Sequence, residues 1–224
     1  MLNIQSLRKR ICGVQKSITN INEEHIMNYQ KVLDETIENI KLNGLVPKLL
    51  IHSCCAPCSS YCLEYLSEFF DITVIYYNPN IFPAEEYEFR ASEQKRFIEE
   101  YPFKRPVHFI KADYEPDEFY NAVKGLEKEP EGGARCTECF KLRLEYTAKI
   151  AKELSMDYFT TTLSISPLKD AARLNSIGLD LGEIYQVSYL VSDFKKRDGY
   201  KRSVEISKEY NMYRQNFCGC VYSK

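Results

Sequence analysis

Three features of this sequence predict an α/β fold built on a parallel sheet: short apolar runs, amphipathic segments between them, and turn residues at the junctions. The runs are KLLIHS from Lys48, DITVIYYN from Asp71, VHFIKADY from Val107, YFTTTLSIS from Tyr158 and IYQVSYL from Ile184. Runs this short, rich in β-branched and aromatic residues, read as strands, and the segments between them read as helices. Alternation of this kind builds right-handed crossovers that lay helices on both faces of the sheet, a three-layer sandwich. Ligands collect at the carboxyl ends of such strands, so functional residues are expected just after them.

Ahead of the first strand, Ile26, Tyr29, Leu33, Ile37 and Ile40 recur at helical spacing within residues 23–43. Asn22 is the candidate N-cap and Asn43-Gly44 the stop, which predicts an extra N-terminal helix. The chain is therefore divided into an extension, residues 1–47, and a main domain, residues 48–224. Its 224 residues are 44% hydrophobic with only nine Gly and nine Pro, enough apolar material for one full core.

No apolar run approaches the ~20 residues needed to cross a bilayer. The opening MLNIQSLRKRICGVQKS also lacks the apolar centre of a secretory signal. A cytoplasmic location, without membrane partners, is expected. The net charge of −2 argues against a uniformly basic surface, but seven Lys or Arg fall between Lys195 and Arg214. With Tyr200, Tyr210 and Tyr213 interleaved, that stretch suits phosphates and unpaired bases, its plain alternative being a solvated helix face.

The cysteines carry the chemistry. There are nine, an odd number, and in a reducing compartment grouped thiols are more often metal ligands or redox groups than structural disulfides. Three groups stand out: HSCCAPC at 52–58, RCTEC at 135–139 and FCGC at 217–220. Cys54, Cys55 and Cys58 fall where the first strand turns into a helix, at the ligand-binding edge. Cys136 and Cys139 are three apart at the start of a helix, so both sulfurs can point one way. Two cysteines from each of these groups supply the four thiolates of a tetrahedral zinc or of a four-iron cluster, and both remain open at this point. Cys218 and Cys220 flank one glycine; a disulfide between them would close a small, strained ring, which points to electron relay or metal binding. Cys62 aligns with Leu66 and Phe69 on one helical face and reads as packing, and Cys12 lies in a polar leader. GLEKEPEGGAR, just before Cys136, has too many helix breakers to be helical and reads as a solvated loop or a lid.

Five linked segments, HSCCAPC, YYNPNIFPAEEYEFR, RCTECFKLRL, FTTTLSISPLKDA and YRQNFCGCVYS, make the chain resemble the cobalamin-independent epoxyqueuosine reductases over about residues 48–223. The resemblance implies a nucleotide alpha-hydrolase-like sandwich and reduction of epoxyqueuosine to queuosine in the tRNA anticodon loop. It also implies a [4Fe-4S] cluster held by Cys54, Cys55, Cys136 and Cys139, and a redox-active pair, Cys218 and Cys220. Cys58 is carried over as a candidate ligand of a second, mononuclear iron. A low-potential electron donor is required, and no Gly-rich phosphate loop follows the first strand, so ATP use is not expected. Two other readings stand beside this one: a thioredoxin-like thiol oxidoreductase built on CAPC with Ser166-Pro167 nearby, and a non-catalytic zinc-dependent tRNA-binding module.

Candidate substrate contacts are the amides of Asn78 and Asn80 in a turn after the second strand, Glu86 and Arg90 four apart on a helix, Lys169 after the fourth strand, and Arg214 in the basic stretch. Tyr76, Tyr77, Glu86 and Asp113 are candidate proton donors at strand ends. His52, alone inside an apolar strand, reads as a satisfied core residue.

Overall fold

Three consecutive apolar residues, Leu49, Leu50 and Ile51, can all be buried only if both faces of their strand are covered, and all three are fully buried. The computed structural model describes residues 27–223. In chain order its elements are α1 (Tyr29–Leu42), β1 (Lys48–His52), α2 (Ala56–Leu66), β2 (Asp71–Tyr76), α3 (Ala84–Glu100), β3 (Val107–Lys111), α4 (Pro116–Ala122), α5 (Ala134–Glu153), β4 (Tyr158–Thr161), α6 (Ala171–Tyr185), β5 (Ser188–Tyr189) and α7 (Gly199–Glu209). The five strands pair in parallel throughout, in the order β3-β2-β1-β4-β5.

Alternate strand residues feed two cores. Leu49, Ile51, Ile72 and Val74 pack with α1, α2, α3 and α7 through Leu33, Ile37, Leu63, Leu66, Phe97 and Ile206. Leu50, Ile75 and Phe159 pack with α5 and α6 through Leu144, Ala148, Leu174 and Leu181. The sheet is thus the middle layer of a three-layer sandwich, as its sequence predicts. From β1 the chain steps outward to β2 and β3, then returns to place β4 on the other side of β1. The crevice between the carboxyl ends of β1 and β4 is the switch point at which such folds bind ligands.

Local details differ from the sequence expectations for identifiable reasons. Asn28 caps α1, its side chain accepting from Lys31 N at 3.1 Å, so the cap falls six residues after Asn22, which lies outside the described residues together with Ile26 and Cys12. It stops where expected, Gly44 taking φ +60°. The run YFTTTLSIS is a strand only to Thr161, whose hydroxyl accepts from Leu163 N and starts a 3-10 turn, Thr162–Ile165. Ser166 to Lys169 consequently follow that turn rather than the strand itself. Of IYQVSYL only Ser188–Tyr189 is strand, because Ile184 and Tyr185 finish α6 and Gln186 closes it with φ 57°. No helix among the described residues is long and apolar enough to cross a membrane.

Helix α6 lies against β5 through Gly178, where an added Cβ would stand 2.4 Å from the Tyr189 ring. Alanine's higher helix propensity is worth only about 1 kcal/mol, whereas overpacking a closed core costs roughly 1–3 kcal/mol. Gly178→Ala should therefore lower the urea midpoint with an unchanged m value; a midpoint above wild type would show that the contact yields freely.

Candidate metal and redox site

The turn after β1 positions the first thiols. Asn78 Nδ2 donates to the Ser53 carbonyl at 2.9 Å, and Gln94 Oε1 accepts from both Ser53 Oγ (2.6 Å) and Ser59 Oγ (2.9 Å), tying the turn and the start of α2 to α3. Cys55 is the N-cap of α2, with Pro57 behind it. The Sγ atoms of Cys54, Cys55 and Cys58 lie within 4.8 Å of one another; among the described residues no other three His, Cys, Asp or Glu side chains form such a group. Hydrogen bonds from Cys55 and Cys58 hold the Cys54 thiol well below the ordinary range. The same bond to Cys54 pushes Cys55 up to about 12, and Cys58 is raised by its bonds to both. The three thiols therefore share protons as one coupled group.

Helix α5 brings the second group. Cys136 and Cys139 lie in its opening turns, where Gly132 N donates to Cys136 Sγ at 3.2 Å and burial pushes the Cys139 thiol up to about 11. The C-terminal pair closes the cleft that Cys136, Cys139, Phe140, Arg143, Lys169, Cys218 and Cys220 line together. A hydrogen bond from Cys220 lowers the Cys218 thiol to about 5 against the cost of burial, helped by Lys169 and Arg143. Lys169 is half-buried, and its charge is favoured by Cys218, Cys54 and Cys58 against burial, so it joins the triad to the CxC pair electrostatically. Cys62 is fully buried in the core, its Sγ on the Cys58 carbonyl at 3.5 Å, apart from this cleft.

The CxC turn is braced from α3. Arg90 is 2% exposed; its Nε and Nη2 both lie 2.7 Å from Glu86 Oε1, its Nη1 donates to the Cys218 carbonyl at 3.1 Å, and its guanidinium stands over the Phe217 ring. Gly219, with φ +106°, fits against that guanidinium, and its carbonyl accepts from Phe82 N at 2.9 Å. Glu86 and Arg90 thus form the pair their spacing suggests, and what they grip in this structure is the cysteine turn. Asn78 and Asn80 are both buried, each with an unpartnered Oδ1.

Other expected residues are placed away from the cleft or are already engaged. Arg214 reaches Ser207 Oγ at 3.3 Å and the Tyr200 hydroxyl at 3.4 Å. Within the basic stretch Arg197 pairs with Asp34 at 2.5 Å, Arg202 with Glu64 at 2.6 Å and Lys195 with Asp193 at 2.7 Å. Tyr210 packs on Phe97 and Tyr101, and Tyr213 on Phe89, while both rings stay partly exposed. Tyr76 donates to the Tyr87 carbonyl, while Tyr77 donates to Glu118 and stacks on Tyr146. Both nitrogens of His52 are hydrogen-bonded, to Thr161 Oγ1 and the Tyr77 carbonyl, and burial pushes its pKa down to about 4, a neutral core histidine.

Two arginines near the cysteines have roles that the motif reading passes over. Arg135, buried beside Cys136, donates to the carbonyls of Glu127 and Glu129 and lies over the Tyr222 ring, so it pins both the GLEKEPEGGAR loop and the C-terminal segment. Arg143, one turn beyond Cys139, is buried beneath the cleft; the i, i+4 spacing in CFKLR was the available signal. The donor set fits an iron-sulfur cluster: four thiolates are required, thiols of all three segments lie about Lys169 and Arg143, and neither cation has a carboxylate partner among the described residues.

In reduced, metal-free protein Cys218 should be a thiolate at neutral pH, its reactivity lost only as pH falls through about 5. Alkylation with iodoacetamide, mapped by peptide mass, should label Cys218 faster than Cys220 at pH 7, and Lys169→Met should move the midpoint of the Cys218 profile upward. A profile midpoint near an ordinary thiol value of about 8.5 in the wild type would contradict this geometry.

Comparison with known proteins places this site in a family. Residues 49–224 match the family model for epoxyqueuosine reductase QueH. The epoxyqueuosine reductase QueH of Streptococcus pyogenes is 46% identical over 212 residues, 94% of this chain and 83% of that protein. Its Staphylococcus epidermidis counterpart is 48% identical over 201 residues, 88% and 84% of the two chains. Among solved structures, the U34-tRNA thiolase NcsA from Methanococcus maripaludis with its [4Fe-4S] cluster aligns at TM-score 0.46 and 14% identity, covering 86% of this chain and 68% of that one. With the family match running from β1 through the CxC turn, the chain belongs to the epoxyqueuosine reductase QueH family.

Proposed function

We propose that this protein reduces epoxyqueuosine to queuosine in tRNA, with residues 48–224 as the catalytic domain and 1–47 as an extension tied to it through α1, working in the cytoplasm. The observation that carries the reading is the meeting of three distant cysteine segments around two cations at the carboxyl edge of the sheet. The family assignment supports it and does not favour a thioredoxin-like oxidoreductase or a zinc-dependent binding module.

Cys54, Cys55, Cys136 and Cys139 are the residues assigned to hold a [4Fe-4S] cluster, which would supply electrons one at a time at low potential. Cys58 shares the triad with Cys54 and Cys55, and the described residues offer it no separate ligand group. A second iron is therefore left out of this proposal.

Removal of the epoxide oxygen as water, leaving an alkene, consumes two electrons and two protons. Oxidation of the Cys218–Cys220 dithiol to a disulfide releases the same number of each, so the pair balances one turnover and an external low-potential reductant resets it. The low pKa of Cys218 keeps its attacking form present at neutral pH. Lys169, half-buried within the cleft and held as an ammonium, is the donor assigned to the departing oxygen rather than to a phosphate. Asn78, Asn80 and the Glu86–Arg90 pair serve this reaction by fixing the walls of the cleft, and Arg214 contributes only at its periphery.

Anaerobically reconstituted protein should be brown. Given epoxyqueuosine-containing tRNA and dithionite, it should yield a nucleoside lighter by one oxygen in mass spectrometry. Unchanged nucleoside with a fully loaded protein rejects the reductase assignment. Cys136→Ser should lower bound iron and acid-labile sulfide together; retention of both would remove Cys136 from the ligand set. Gly219→Ala, which forces a Cβ to 3.0 Å from Arg90 Nη1 at a positive φ, should leave iron content unchanged and cut turnover by about tenfold or more, as misplacement of a reacting group does.

A further inference from the structure

Among the described residues Arg143 has no carboxylate counterion. Its side chain is 1% exposed. Its Nε donates to the Cys139 carbonyl at 3.2 Å, its guanidinium stands 5.7 Å from the Phe140 ring centre, and its buried Nη2 has no hydrogen-bond partner. Among the described residues no carboxylate forms an ion pair with it. Burial opposes its charge, and the groups that restore it are all cysteines: Cys139, Cys218, Cys54 and Cys136. Removing a guanidinium from water and leaving it unpaired is among the most costly features a core can contain, so a site that keeps one is built around an anion.

We propose that Arg143 is the resident counter-cation of the anionic group the cysteines hold, a positioning residue that offsets its negative charge from beneath and sets its reduction potential. The proposal rests on the cluster reading above. Four thiolates around a dipositive iron-sulfur core carry a net charge of −2, and one electron from an external reductant takes it to −3. A fixed positive charge in a low-dielectric wall favours the more negative form, so it raises the potential. Lys169 opposes the same charge from the solvent side of the cleft, but its flexible ammonium is partly hydrated, whereas Arg143 is held in place by its own helix.

The test is redox titration of anaerobically reconstituted holoprotein, followed by absorbance and electron paramagnetic resonance, with iron and sulfide quantified in each sample. Arg143→Met keeps the length and apolar body of the side chain without its charge, and Arg143→Lys keeps the charge. Arg143→Met should lower the midpoint so that the reduced-to-oxidised ratio at fixed potential falls about tenfold, equivalent to 59 mV for one electron, while Arg143→Lys recovers most of the wild-type value. If Arg143→Met takes up no cluster and Arg143→Lys does, the charge requirement is established by assembly. Equal midpoints in loaded wild type and Arg143→Met overturn the proposal, as does equal loss of both cluster and fold in the two variants, which would make the role packing. Failure of the wild type itself to bind iron and sulfide would instead overturn the cluster reading.

Discussion

Charge balance at the carboxyl edge of the sheet is the constraint on which the rest of this structure depends. The low-pKa thiols Cys54 and Cys218 share this edge with buried Arg143 and half-buried Lys169, and each sign makes the other tolerable. The parallel register of β1 with β2 and β4 puts the Cys54–Cys55 doublet at the crevice where the strand order reverses. The amino end of α5 brings the CxxC pair to that crevice, with Arg143 one turn further along the same helix. Neither element could shift by a residue without exposing one half of the charge set and stranding the other.

The supports around the site are rigid where reacting groups must be held and polar where backbone would otherwise be orphaned. Gln94 gathers two serine hydroxyls to fix the start of α2. Arg90 fixes the CxC turn through one carbonyl, one ring and the space beside Gly219. Arg135 links the loop before α5 to the C-terminal Tyr222. Two buried arginines, each linking segments distant in sequence, therefore do what a disulfide framework would do in an oxidising compartment, and the thiols are left free for chemistry.

Much of this was legible beforehand. The β runs were readable because both-face burial demands continuous apolar residues, and the cysteine groups because metal ligands need fixed spacing. What resisted reading was set by partners far along the chain. Asn28 rather than Asn22 caps α1, its side chain accepting from Lys31 N. In the basic stretch between Lys195 and Arg214, Asp34, Glu64 and Asp193 pair with three of the seven cations, and two of those carboxylates lie far along the chain, outside the stretch. Glu86 and Arg90 were correctly seen as a pair, while their object, the Cys218 carbonyl more than a hundred residues away, could not be.

In the proposed reduction the two cations hold different positions relative to solvent. Arg143 lies beneath the cysteines under the side chains of α5 and cannot be reached from solvent. Lys169 follows Leu168, which is 81% exposed at the cleft mouth. In the proposed reduction an epoxide would meet Lys169 on the open side, beside the exposed Leu168, while Arg143 is closed off from solvent. Such an order separates the two electrostatic tasks: the deep cation acts on a permanent charge, which needs a fixed and dry position, and the outer one acts on an oxygen whose charge appears only during reaction, which needs a mobile donor that solvent can reprotonate.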